Sequence, residues 1–320
     1  MAKSKAKPIL VTPDNFRRAE SDVTFAAYVK RGALGKLIHN REPASIDDHS
    51  VIRMNRDTLY SSAIFDLEAG PVTIAMPEAR KRYMALQVID EDQYSPAVYF
   101  RGGTYTLERK KIGTRYAMAA IRTFVDPNDP KDVAKVHALQ DAIKVEQKGK
   151  GRFVVPSWDP MSQAKVRDAL LALAATMSSF DRAFGARGEV DPVIHLIGTA
   201  AGWGGNPLVA AVYQNFTPPK NDGKTVYRVT VKDVPVDGFW SVTVYNSRGF
   251  FEKNKLGAYS LNNVTAQKST DGSVTIQFGG GNAKTPNLLP IVKGWNCAIR
   301  LYRPRKGIIE GKWKFPEPKQ

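Results

Sequence analysis

One cysteine, four histidines and no long apolar run leave several classes of protein closed to this sequence. A single Cys297 excludes an internal disulfide framework and any zinc site built on cysteines. It sits in the strand-like run WNCAIRLY, where a buried, inert thiol is the plain reading. No stretch approaches the roughly 18 consecutive apolar residues that a membrane helix needs. The opening MAKSKAKPILVTPDNF is basic, but its only apolar run is ILV. A secretory leader needs about 7–15 apolar residues there. The chain as given is therefore expected to be cytoplasmic, or a mature form whose leader lies outside it. Standard catalytic signatures are missing too: no G-x-S-x-G elbow, no P-loop, no H-E-x-x-H and no dinucleotide fingerprint. No cofactor is expected.

What is present is length, charge and alternation. The 320 residues suit one large domain or two of ordinary size. The net charge of +16 favours phosphates, acidic surfaces or anionic metabolites as partners. Its densest clusters, RKKIGTR (109–115) and RPRKG (303–307), are short, so they read first as solvated turns and second as an anion-facing patch. No specific nucleic acid and no membrane is expected as a partner.

Residues 12–30 predict a helix opened by Thr12-Pro13, with Phe16, Ala19, Val23 and Ala27 on one face. From 51 to 125 the apolar period falls to two, with Gly, Pro and charged turns between short runs, as in a sandwich or barrel. Three helices are then predicted from Asp-Pro starts at 129–130, 159–160 and 191–192. Asp caps the first amides and Pro presets the backbone. The first of these helices is expected to continue through DPKDVAKVHALQDAIKVEQ. After GWGGNP the alternating runs return.

The two β regions echo each other. PVTIAMP answers YRVTVKDVP, YMALQVID answers FWSVTVYN, GGTYTL answers LGAYSL, and AAIRTF answers CAIRLY. All half-buried strands look alike, but shared order and spacing favour one β-module used twice. The expected fold is mainly β with a helical segment: two jelly-roll-like β-sandwich modules in tandem. Its expected boundaries are 1–128 for an N-terminal helix and the first module, 129–206 for helices, and 207–320 for the second module.

Two long stretches carry a family resemblance. MNRDTLYSSAIFDLEAGPVTIAMPEARKRYMALQVIDED resembles the domain of unknown function numbered 1254. DVPVDGFWSVTVYNSRGFFEKNKLGAYSLNN, with the later DGSVTIQFGGG and NLLPIVKGWNCAIRLYRPRKGIIEGKWKFP, resembles its usual partner, numbered 1214. The resemblance implies two successive jelly-roll sandwiches and supplies no established reaction. One departure is visible. The family often has Asn-Trp-Leu-Pro where this chain has Asn287-Leu288-Leu289-Pro290, which would alter any pocket that tryptophan lined.

Candidate chemistry is sparse. His195, on the short apolar run VIHLIG, is the best general base because its unperturbed pKa lies near neutrality; a satisfied core histidine is the plainer reading. NRDTLYS (55–61) is polar for a strand start. Either Asn55 and Asp57 make turn hydrogen bonds and Arg56 pairs with a carboxylate, or Arg56 holds an anionic ligand and Asp57 takes part in catalysis. AGWGGNP (201–207) offers Trp203 as a flat wall and Asn206 as an orienting amide, or is simply a tight helix-to-strand connection. Tyr60 and Tyr245 complete the ligand-binding set, Tyr245 from a semi-polar face shared with Phe239, Ser241 and Thr243. GGGNAK (279–284) reads as a turn. No metal ligands are assigned, although His39 and His49 beside Asp47 and Asp48, and Asp90 with Asp92, carry the residue types a metal uses.

Three functions remain open to these residues. The first is a small-molecule binder or hydrolase-type enzyme whose polar cavity takes an anionic metabolite. The second is a structural module that assembles homo-oligomers. The third is a basic protein resting on nucleic acid or acidic surfaces.

Overall fold

The computed structural model describes residues 7–49, 52–177 and 179–320; the basic opening residues 1–6 lie outside them. The elements begin α1 (Phe16–Lys30), β1 (Ile38–His39), β2 (Thr58–Asp66), β3 (Val72–Met76), β4 (Met84–Asp90), β5 (Ala97–Tyr99), β6 (Gly103–Leu107), α2 (Arg109–Ile112) and β7 (Tyr116–Phe124). They continue α3 (Pro130–Asp141), β8 (Lys144–Gln147), α4 (Pro160–Ala174) and α5 (Pro192–Gly202). The last are β9 (Ala211–Phe216), β10 (Tyr227–Val231), β11 (Trp240–Tyr245), β12 (Ser260–Asn262), β13 (Val274–Phe278), β14 (Leu288–Leu289), β15 (Asn296–Tyr302) and α6 (Lys306–Ile309). The fold is mainly β, in two modules, as the alternation implied.

The described residues form two compact units that interleave in sequence. Unit 1 takes residues up to 39, then 60–122 and 138–208; unit 2 takes 40–59, 123–137 and 209–320. The sequence suggested three successive blocks instead. Two upstream segments, 40–59 and 123–137, belong with the C-terminal module.

In unit 1, one sheet runs β1-β2-β7-β4-β5 and a second runs β6-β3-β8. The alternating residues of β3 (Val72, Ile74, Met76) and the inward residues of β4 and β7 (Leu86, Val88, Ala119, Ile121) close one core with Phe65 and Leu107. Burying each large apolar side chain contributes roughly 1.5–3 kcal/mol. β4 and β7 are buried along their whole length, because their other face is covered as well. There Phe25 of α1 packs with Ile64, Ile89, Tyr116 and Met118. A further cluster joins Phe16 and Ala19 of α1 to Leu170 of α4 and Ile197 of α5.

Unit 2 repeats the plan. Its sheets run β12-β11-β15-β9 and β10-β13-β14. Between them Val229, Val231, Trp240, Val242, Ile276, Phe278, Trp295, Cys297, Ile299 and Leu301 form the core. Cys297 is fully buried there, and burial pushes its thiol pKa up to about 12, so it is inert.

Local structure follows the expected signals with three differences. Asp159 accepts from the Ser162 amide at 2.8 Å, and Asp191 from the Val193 and Ile194 amides at 3.0 Å each, as Asp-Pro starts require. The N-terminal helix begins at Phe16 rather than Thr12, because Asn15 turns its side chain back to the Thr12 amide and the Leu10 carbonyl. The 130–148 stretch is helical only to Asp141; its end is β8, which pairs antiparallel with β3. The third strand match also differs. β6 pairs with β3, whereas β12 pairs with β11. The counterpart of β6 is β13, which pairs with β10, and the counterpart of β12 is β5, which pairs with β4. GGGNAK is a turn: Gly279, Gly280 and Gly281 all have φ between 62° and 76°, where only glycine sits without strain.

Candidate functional site

The seven candidate residues fall in both units, and each group has its own surroundings. Unit 1 holds Tyr60, His195, Trp203 and Asn206. α5 places His195 in a fully buried position. Its Nδ1 lies 2.7 Å from the Ala183 carbonyl and its Nε2 3.1 Å from the Asp92 carbonyl. Its ring stacks on Tyr94, with centroids 4.3 Å apart. Burial pushes its pKa below the ordinary histidine value, against the pull of the two carbonyls. A general base must turn a ring lone pair toward substrate, and both nitrogens here face carbonyl oxygens. These contacts tie α5 to two loops instead of providing the expected base.

The GWGGNP connection is equally well explained by packing. A Cβ on Gly205 would come within 2.4 Å of the Phe184 ring. Trp203 donates its indole N–H to Ser21 and meets Phe25 edge-on. Asn206 is buried. The Gly204 and Gly205 carbonyls accept from Arg122 Nη2 at 3.0 Å and Gln87 Nε2 at 2.9 Å. Arg122 also donates to Gln87 Oε1 at 2.6 Å and lies over the ring of Tyr60, 5.3 Å from its centroid. The sequence reading missed Arg122 and Gln87 as a site. The available signal was a charge inside the apolar run AAIRTF.

Unit 2 holds Arg56, Asp57 and Tyr245. Here β11, β12 and β15 turn a polar face away from the core: Ser241, Thr243 and Tyr245, with Ser260, Asn262 and Arg300 beside them. Every one of these except Ser260 is buried, because residues 53–57 lie over the face. Arg300 donates to Thr243 Oγ1 at 2.9 Å, to Tyr245 Oη at 2.7 Å and to the Arg53 carbonyl at 2.7 Å. Tyr245 donates in turn to the Met54 carbonyl at 2.7 Å. The Thr243 and Ser260 hydroxyls are 3.1 Å apart, and Ser260 donates to Asp57 Oδ1 at 3.1 Å. A buried cation and a buried carboxylate are thus joined through two hydroxyls, each able to accept once and donate once. Asn262 Nδ2 adds a second donor to Asp57 Oδ1 at 3.2 Å. Asp57 Oδ2 and Ser241 Oγ are buried without a hydrogen-bond partner among the described residues. Burial alone would lower the Arg300 pKa; the oxygens of Tyr245, Tyr302 and Asp57 raise it above its ordinary value. Burial raises the Tyr245 pKa.

Arg56 is half-buried and differs in kind from Arg300. One of its N–H groups goes to the Ala44 carbonyl, and its guanidinium lies 5.9 Å from the centroid of the Tyr259 ring. It closes no salt bridge with a carboxylate among the described residues, although its plainer reading expected one. Burial pushes its pKa down. Tyr259 and Tyr245, but not Arg56 itself, line a cavity of about 70 Å³ with Glu252, Lys253, Asn254 and Pro290. A second cavity in the unit, of about 200 Å³, touches none of the seven candidates. Neither reaches the several hundred cubic ångströms usual for a drug-sized ligand.

No group of three or more His, Cys, Asp or Glu among the described residues is disposed to hold a metal ion. His39 bonds Ser61, and His49 stacks on Phe250. No helix among the described residues is long and apolar enough to cross a membrane.

Residues 34–147 match the model of a family described as protein of unknown function (DUF1254), and residues 213–306 that of protein of unknown function (DUF1214). Among solved structures, the chain is similar to the VPA0106 protein of Vibrio parahaemolyticus. That match has a TM-score of 0.72 and 18% identity, over 95% of this chain and 96% of that one. It is also similar to an uncharacterized protein from Burkholderia cenocepacia, with a TM-score of 0.52 and 12% identity over 92% and 86% of the two chains. At these identities the likeness concerns the fold alone. No curated protein matches the chain.

Proposed function

The chain belongs to the proteins that carry a DUF1254 domain followed by a DUF1214 domain, and we propose that it binds a small anionic molecule in unit 2, at Arg56 and the cavity that reaches it through the ring of Tyr259. The observation that carries this reading is the state of Arg56. A guanidinium offers five N–H donors in a planar fork suited to carboxylate or phosphate. Here it is half-buried on an aromatic ring, gives one donor to a carbonyl, and has no carboxylate partner among the described residues. Arg300 of β15, in the same unit, shows what a structural arginine looks like: it is fully enclosed and spends its donors on three protein oxygens. The cavity of about 70 Å³ suits a compact ligand such as a short carboxylate or an inorganic oxyanion. One water occupies roughly 10–15 Å³ on the same measure. Its wall carries Lys253, paired with Asp47 at 2.9 Å, and Glu252, which accepts from Asn246 Nδ2 at 3.0 Å, so the positive charge for the anion comes from Arg56.

The test is calorimetric titration with acetate and with inorganic phosphate, repeated on Arg56→Lys. Lysine keeps the charge and loses the fork, so affinity is expected to fall at least tenfold with little change in melting temperature. Unchanged affinity, or a variant that unfolds, would overturn the reading.

A second reading, assembly into homo-oligomers, is favoured by a different observation. α4 and α5 leave Met161 73% exposed and Val193 63% exposed, with Leu171 and Leu173 also uncovered. α4 and α5 pack on each other, and an interface would cover the exposed apolar side chains that they carry. Light scattering at high protein concentration tests it; a monomer throughout ends it.

A further inference from the structure

Unit 2 has a second opening, at the end of its sandwich where the β10–β11 and β12–β13 connections meet. It encloses about 200 Å³. Its floor is the edge of the core: Val231, Val274 and Trp240, with Val234 and Val236. Lys232 and Lys268 stand on its rim, and Asp233 is the one carboxylate among its lining residues. The Lys232 ammonium is held loosely, 3.9 Å from Asp271 at the surface. Lys268 closes no salt bridge among the described residues. Two tight turns bring backbone to the rim: Asp233 has φ 49° and Gly272 has φ 84°. Surrounding charge favours the same sign of ligand, since residues 213–306 hold 14 Lys and Arg against 5 Asp and Glu. A positive surround raises the local concentration of anions at a concave site.

We propose that this cleft is a second anion site, separate from the Arg56 cavity, and that it takes a small molecule with two anionic groups. Each lysine offers a compact point charge on a flexible stem, so two ammoniums meet two anionic groups without demanding one spacing. Val231, Val274 and Trp240 are almost wholly covered, so the short link between those groups meets the half-buried Val234 and Val236. A monoanion can engage one lysine at a time and gains less.

The proposal is tested on the full chain by NMR titration with succinate and with acetate. Saturable shifts are expected at the backbone amides of Gly238, Asn263 and Gly272, with succinate bound at least tenfold more tightly than acetate. The double variant Lys232→Met, Lys268→Met is expected to weaken succinate at least tenfold. Lys312→Met, Lys314→Met removes the same charge from exposed positions outside the cleft and is expected to leave the affinity within twofold. Equal loss in the two double variants would reduce the effect to general attraction and overturn the site. Absence of saturation by about 50 mM succinate, far above a millimolar Kd, would overturn it as well. Arg56→Lys separates the two sites: it should leave these three amides responding as before, and loss of their response would merge this site with the Arg56 cavity.

Discussion

At the end of β4, Asp90 Oδ1 accepts the amides of Asp92 at 2.8 Å and Tyr94 at 2.9 Å. At the end of β11, Asn246 Oδ1 accepts those of Arg248 at 3.0 Å and Phe250 at 3.1 Å. The backbone closes the same way: Asp90 N to Tyr94 O, and Asn246 N to Phe250 O. The fourth residue of each turn is left-handed, Gln93 at φ 67° and Gly249 at φ 84°. One geometry is therefore built from different side chains. The same holds one strand over. Arg122 of β7 bonds Gln87 of β4, and Arg300 of β15 bonds Thr243 at the equivalent place in β11. The positions where the two copies differ are anchors, and what changes between them is charge and reach.

The largest test of this equivalence concerns the arginines. Arg300→Met would leave the buried Tyr245 hydroxyl and the Arg53 carbonyl without their donor, and Arg122→Met would do the same to the buried Gln87 and the Gly204 carbonyl. Each is expected to lose roughly 3–5 kcal/mol in chemical denaturation. A loss below about 1 kcal/mol in only one of them would break the parallel.

The next effect comes from the one titratable difference between the turns. Burial raises the Asp90 pKa to about 7, opposed by its two backbone amides, while Asn246 cannot ionise. A carboxyl raised in the fold holds its proton more tightly there than in the unfolded chain. Its stabilising contribution is full below pH 4 and is lost as pH rises toward 7. Asp90→Asn keeps the acceptor and removes that loss. The variant should gain on the parent progressively between pH 4 and pH 7, by about 2–4 kcal/mol at the upper end. Thermal melts across that range check it; a constant offset would show that Asp90 is ionised in the fold throughout.

Smaller again is the backbone itself. Gly249→Ala forces a Cβ into a left-handed position 3.3 Å from Ile52, at a cost of about 1–2 kcal/mol. Gln93→Gly removes the same strain in unit 1 but loses the side-chain oxygen that accepts from Thr199. It should come out close to neutral by the same denaturation assay. A strongly stabilised Gln93→Gly would mean that the Thr199 contact is worth little.

These residues also show what the sequence could reveal. Central strands were legible because alternation sustained over seven to nine residues matches the pleat of a strand and no helical period. Asp-Pro starts were legible because the cap and the ring act locally. β8 was not: Lys144–Gln147 follows a helix with no breaker, and four residues, none of them buried, carry little pattern. TYTL and AYSL looked equivalent, but which strand each joins is fixed by distant pairing. At the candidate site, Asp57 and Arg56 stood out as polar residues before a strand. Their partners did not. Ser260 and Asn262 sit in a short edge strand, and the groups that face the two ring nitrogens of His195 are backbone carbonyls that no residue pattern encodes.

The smallest prediction asks whether the equivalence reaches the solvent side of the second sheets. β3 and β6 oppose Thr73 to Thr106, and β10 and β13 oppose Thr230 to Thr275. The hydroxyls are 3.4 Å apart in the first pair and 2.8 Å in the second. A cross-strand pair of this kind contributes roughly 0.2–1 kcal/mol. A double-mutant cycle to valine keeps β-branching and shape at each position while removing the hydroxyls. The Thr230–Thr275 coupling is expected in the upper half of that range and the Thr73–Thr106 coupling in the lower half, since a hydrogen bond weakens with the added distance. Both should have the same sign, because both pairs sit on exposed, antiparallel, alternating strands. Opposite signs would mean that the two strand pairs share a pairing without sharing a register, and would confine the likeness of the modules to β4, β7, β11 and β15.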